Sequence, residues 1–140
     1  MLVALAFTVA AVLNTLAVLH VYWALGGRWG KDAAVPRRAT GERLFEPSSR
    51  STWLVALALA IAAYSVRLAV RAGPLHTIAA IAVALLALAF LARAIGDFRW
   101  VGAFKRERES KFAQLDTRYF VPLCLLLAVA CACISLDALV

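Results

Sequence analysis

The sequence predicts an all-α protein, a four-helix transmembrane bundle running up-down-up-down. Three observations predict it. Apolar residues make up 64% of the chain, against roughly 45–50% in a water-soluble domain. They gather in four runs, about residues 2–25, 52–70, 75–95 and 119–136. Each is near the ~20 residues that cross a hydrocarbon core of about 30 Å. Nearly all of the fifteen basic residues sit in or beside the two long segments between these runs. The length of 140 residues leaves room for one domain, residues 1–140. The formal charge of +7 does not imply nucleic acid, because loops flanking apolar spans are where membrane proteins keep basic residues.

The run 2–25 carries no formal charge. It lacks a basic leader, is too long for the apolar part of a secretory signal, and no cleavage motif follows, so it reads as a retained span. Thr8, Thr15 and Tyr22 recur every seven residues and share a face expected to pack on another helix. Asn14 is mid-span and needs a partner. His20 and Trp23 share a different face near the end of the span.

Residues 26–51 form a loop rich in turn formers, among them Gly26, Gly27, Gly30, Pro36, Gly41 and Pro47. Its basic residues include Arg28, Lys31, Arg37, Arg38, Arg43 and Arg50. In the second span, Trp53 sits at the interface. Ala56 with Ala60, and Ala58 with Ala62, have small-xxx-small spacing for helix contact. Arg67 is deep enough to snorkel. Ala72-Gly73-Pro74 makes the second and third spans an antiparallel hairpin.

Residues 93–122 hold seven of the fifteen basic and four of the eight acidic residues. Phe98, Val101, Phe104, Arg108, Phe112 and Leu115 follow a 3–4 residue spacing. This predicts a partly helical segment along the membrane surface, with Lys105 among the charges on its outer side. Arg93 and Asp97, four apart, would pair on one helix face, and Asp116-Thr117 would cap the fourth helix. Pro122 falls in that helix's first turn. Cys124, Ala128, Cys131 and Ser135 form a small-residue packing stripe. The cysteines read as packing residues. Cys131 and Cys133 point about 200° apart on a helix, so no disulfide is expected.

The loop 26–51 carries six basic residues, the region 93–118 seven, and the opposite side only Arg67 and Arg71. The positive-inside rule then puts loops 26–51 and 97–118 in the cytoplasm and both termini outside.

The residues from His20-Val-Tyr-Trp to Gly26-Gly27, then Arg93-Ala-Ile-Gly-Asp-Phe-Arg99, Val101-Gly102, Phe112-Ala-Gln-Leu-Asp-Thr117 and Pro122-Leu-Cys-Leu125 carry a resemblance. The chain resembles a family of small bacterial four-span membrane proteins, a domain of unknown function. The resemblance implies four transmembrane helices and the bacterial inner membrane. It implies no activity.

His20, Trp23, Arg93, Asp97, Arg99, Asp116 and Thr117 lie at one depth in this topology and form the candidate binding cluster. The same residues would equally serve as salt bridges pinning loops to helix ends. His76 is placed on the opposite side from His20, so no metal site is expected, and no cofactor. The chain lacks nucleotide-binding P-loop, serine-hydrolase, zinc-protease and haem-attachment motifs. It lacks the cysteine pairs of vitamin K epoxide reductases and quinone-coupled thiol oxidases. Small multidrug exporters carry an acidic residue in the first span, where this chain has Asn14.

Three function classes follow. The leading one is an accessory or scaffold protein binding lipid, an apolar small molecule, a membrane-protein partner or a second copy of itself. The alternative is a small membrane enzyme acting on an apolar or lipid-like substrate through His20, Asp97 or Asp116, with Arg93 or Arg99 holding an anionic head. The third is an oligomeric transporter.

Overall fold

A computed structural model describes residues 1–36 and 42–140; Arg37, Arg38 and Gly41 of the first loop lie outside the described residues. Helix α1 spans Leu2–Ala24, a short α2 Lys31–Ala34, α3 Ser49–Leu68 and α4 His76–Ile95. Helix α5, Lys111–Leu115, runs through a π-helical turn, Asp116–Phe120, into α6, Val121–Leu139. Four of these stretches are long and apolar enough to cross a membrane: Leu2–Ala24, Ser49–Leu68, His76–Ile95 and Lys111–Leu139. No strand occurs among the described residues.

The helices pack as two close antiparallel pairs, α1 with α3 and α4 with α6, and the pairs meet through α3–α4 and α1–α6. The core is built from small and branched residues: Ala6 and Leu13 of α1, Val66 of α3, Val83 of α4, Cys131 and Ile134 of α6. Lipid tails are as apolar as these side chains. Association therefore depends on close backbone approach and dispersion contacts, which small residues allow. Larger apolar groups such as Leu57, Ile81, Leu88 and Leu126 face outward.

The stripe of α6 packs as its spacing predicts, with Ala128, Cys131 and Ser135 buried. Two other predicted faces do not. Thr8, Thr15 and Tyr22 are exposed. The two threonine hydroxyls donate to Ala4 and Ala11 of their own helix, at 3.0 and 2.9 Å, and so need no neighbour. In α3, Ala56 is buried, but Ala58 and Ala60 are exposed. The contact face runs instead through Ala56, Ala63 and Val66, a register closer to the 3.6-residue period.

The last helix begins eight residues before the predicted start near 119. Ser110 is its N-cap and accepts the Ala113 N–H at 3.1 Å. Asp116 is therefore inside the helix, not at its cap. The π turn comes just before Pro122. Val121 N–H reaches back to the Asp116 carbonyl, and the ring of Pro122 meets a backbone already loosened by one residue, where a strict α-helix would clash.

Residues 97–110 do not form the predicted surface helix. Gly96 ends α4 with φ 87°, and Phe98 and Gly102 also have positive φ, 62° and 92°. Three left-handed residues within seven cannot propagate a right-handed helix. Phe98 and Phe104 stack on each other, centroids 6.3 Å apart.

Ser49 Oγ donates to the Ala24 carbonyl at 2.8 Å, and α2 meets α5. The two long loops thus share one end of the bundle. The other end gathers Leu2, the turn at Arg71 and Gly73, His76 and Asp137.

Candidate functional site

The centre of the loop end is Asp116, which is fully buried. Its Oδ1 accepts from Arg93 of α4 at 2.8 Å. Its Oδ2 accepts from the Gly102 N–H at 2.9 Å and from Lys105 Nζ at 3.1 Å. Lys105 is 2% exposed. Its ammonium also donates to the Gly102 carbonyl at 2.9 Å and to Thr117 Oγ1 at 2.7 Å. Thr117 in turn donates to the Ala113 carbonyl at 3.1 Å. A buried carboxylate is tolerable only when charge and hydrogen bonds replace water. Here one cation comes from α4 and the other from the loop, so the carboxylate ties both to the last helix.

The loop is shaped to deliver them. Asp97 Oδ1 accepts three successive backbone N–H groups, from Arg99 at 2.9 Å, Trp100 at 2.7 Å and Val101 at 2.9 Å. Burial nudges the Asp97 carboxyl upward, but the amides of Trp100, Val101 and Arg99 outweigh it and hold its pKa below the ordinary value. The chain then turns back, and Ala103 N–H bonds the Ala94 carbonyl at 2.7 Å. Gly96 and Gly102 lie back to back. A Cβ on Gly102 would strike the Ile95 carbonyl and Gly96, and one on Gly96 would strike the Val101 carbonyl. This close approach places the Gly102 N–H on Asp116.

The predicted pairing of Arg93 with Asp97 is therefore replaced. Helix α4 stops at Ile95, so Asp97 is off the helix and serves as a turn acceptor. Arg93 pairs with Asp116 instead, while its Nη1 is buried without a hydrogen-bond partner among the described residues. Arg99 lies over the Trp100 ring at 5.1 Å, a cation–π contact.

His20 and Trp23 belong to a separate place. The His20 ring bonds the Leu16 carbonyl through Nδ1 at 2.8 Å and meets Trp23 edge-on at 5.0 Å. The Trp23 indole donates to the Trp29 carbonyl at 2.8 Å. Both rings line a cavity formed with α2 and the start of α3. Among the described residues, no hydrogen bond, ion pair or ring contact links them to Asp116. Of the seven candidate residues, Arg93, Asp116 and Thr117 thus form one network. Asp97 and Arg99 shape the loop beside it, and His20 and Trp23 form a second locus.

Sequence reasoning missed Lys105 and Gly102. The signal available was indirect: Asp116 borders a long apolar run and requires cations, but Arg118, Lys111, Arg108 and Arg106 all lie nearer to it in the chain than Lys105.

Four membrane-length helices, the last two tied together at one end by an ion-pair network, define a small multi-pass membrane protein. The chain belongs to the family described as "Protein of unknown function (DUF3995)", whose model matches residues 13–131. That stretch includes His20, Arg93, Gly102, Lys105 and Asp116. No curated protein and no solved structure matches the chain.

Proposed function

We propose that this is an accessory protein of the bacterial inner membrane, binding lipid or a membrane-protein partner through its outward apolar faces. The observation that carries the reading is the use made of the charged groups. Both oxygens of Asp116 are occupied, by Arg93, Gly102 and Lys105. A carboxylate held this way is a structural tie and is poorly placed to exchange protons with a substrate. In this reading the network holds a rigid cap, and loops 26–51 and 97–118 face the cytoplasm with both termini outside. The thirteen-to-two bias of basic residues supports that orientation.

The runner-up is a small membrane enzyme acting on an apolar or lipid-like substrate. One observation favours it, the Nε2 of His20 beside a cavity, which has no partner among the described residues. A transporter would need polar groups through the bilayer. Ser65 and Ser135 instead donate to their own helices, at Ile61 and Ala132.

Native mass spectrometry of gently solubilised protein, with lipid extraction from the same sample, tests the accessory reading. It predicts one enriched lipid or one stoichiometric protein partner. A bare chain that turns over a lipid-like substrate, with activity lost in a single conservative variant of His20, would overturn it.

A further inference from the structure

The first loop borders a half-open cavity of about 320 Å³, lined by His20, Trp23, Lys31, Phe45, Thr52 and Val55 among others. This is the compact end of the roughly 300–1,000 Å³ range of small-molecule sites. Part of its wall is held by hydrogen bonds of its own. Trp23 is held by the Trp29 carbonyl. Thr52 Oγ1 donates to the Ser48 carbonyl at 2.9 Å, and Ser49 pins the start of α3 to the end of α1.

The polar groups on this wall have a defined sense. A carbonyl only accepts, so the His20 nitrogen bonded to Leu16, Nδ1, must carry the hydrogen. In the neutral ring Nε2 is then a lone-pair acceptor, and among the described residues nothing donates to it. The Thr52 hydroxyl hydrogen is committed to Ser48, which leaves its oxygen only acceptor capacity. Lys31 contributes an ammonium with no partner among the described residues. The cavity therefore offers acceptors, one cation and aromatic walls.

We infer that this cavity binds a compact aromatic acid bearing a hydroxyl group. The hydroxyl donates to His20 Nε2, the anionic group meets Lys31, and the ring packs on Trp23 and Phe45. A single ring suits a volume of this size with flat aromatic walls. This goes beyond the accessory reading, which concerns the outer helix faces and is tested separately.

The test uses the full chain in nanodiscs of zwitterionic lipid, titrated calorimetrically with hydroxybenzoate isomers, benzoate and hydroxybenzamides. At least one hydroxybenzoate isomer is expected to bind about tenfold tighter than either partial analogue, the scale of one lost charge-assisted hydrogen bond. His20→Phe should erase the preference over benzoate. Lys31→Met should erase the preference over the amide. Lys31 is on a four-residue helix outside the bundle, so this variant reports even where His20→Phe perturbs folding. The inference is overturned if no isomer binds, if both preferences survive the substitutions, or if anionic phospholipid added to the nanodisc displaces the acid while itself requiring His20 and Lys31.

Discussion

Lys105 Nζ lies 3.1 Å from Asp116 Oδ2, and both side chains are buried, 1% and 0% exposed. An ammonium on a membrane protein's loop ordinarily reaches for water. This one is inserted between the loop and the last helix, with Gly102 and Thr117 completing its hydrogen bonds. Removing the carboxylate would strand it. Asp116→Asn should cost on the order of 3–5 kcal/mol, the range for breaking a buried pair from one side. Thermal unfolding in mild detergent measures this. Arg93→Met should cost less than Lys105→Met, because the Arg93 side chain is 36% exposed and that of Lys105 1%.

Gly102→Ala and Gly96→Ala should each open the loop. Neither site has space for a Cβ, and both carry positive φ, a strain of roughly 1–3 kcal/mol before the clash is added. Gly73 has open space around it, so Gly73→Ala is the matched control and should leave the unfolding temperature within a degree or so of wild type. Limited proteolysis between 97 and 110 reads the difference.

Asp97 makes the loop acid-sensitive. Its folded pKa is depressed by the amides of Trp100, Val101 and Arg99 despite the opposing effect of burial. The stabilisation is therefore fully present above the unfolded carboxylate value of about 3.9 and is lost as pH falls through the lower folded value. Hydrogen exchange at those three amides, corrected for intrinsic rates, should be flat from neutral pH down to that region. Protection should then collapse below it. Asp97→Ala should remove the protection at every pH.

Orientation is read by labelling. In a background with the native cysteines replaced, Arg106→Cys should react with an impermeant maleimide only in opened membranes. Ala72→Cys should react in intact cells. Both positions are exposed. The reverse pattern would place the charged loops outside.

The four spans were legible because a bilayer imposes length and hydropathy on any crossing helix, and the charge asymmetry follows a comparably coarse rule. The site was legible only in part. Asp116 and Arg93 stood out as charges at the edges of apolar runs. Lys105 did not, because it sits between Phe104 and Arg106 in a charged stretch, where a solvated face is the ordinary expectation. Its burial is produced by a turn, and that turn depends on positive φ at Phe98 and Gly102, which spacing alone does not reveal. The apparent helical period of Phe98, Val101 and Phe104 arose from a loop that stacks two of those rings. The cluster centred on His20 and Asp116 divided in two because a shared depth in the membrane says nothing about position around the bundle.

The most direct test of the claim that this charge network is structural is a double-mutant cycle on Lys105 and Asp116, measured by reversible unfolding in mild detergent. Lys105→Met and Asp116→Leu should each destabilise strongly, while the double variant should lose less than the two losses combined, with a coupling of about 1–3 kcal/mol. Additive losses would contradict the account. So would an Asp116→Leu variant as stable as wild type, since the carboxylate would then be held there for chemistry and not for the fold.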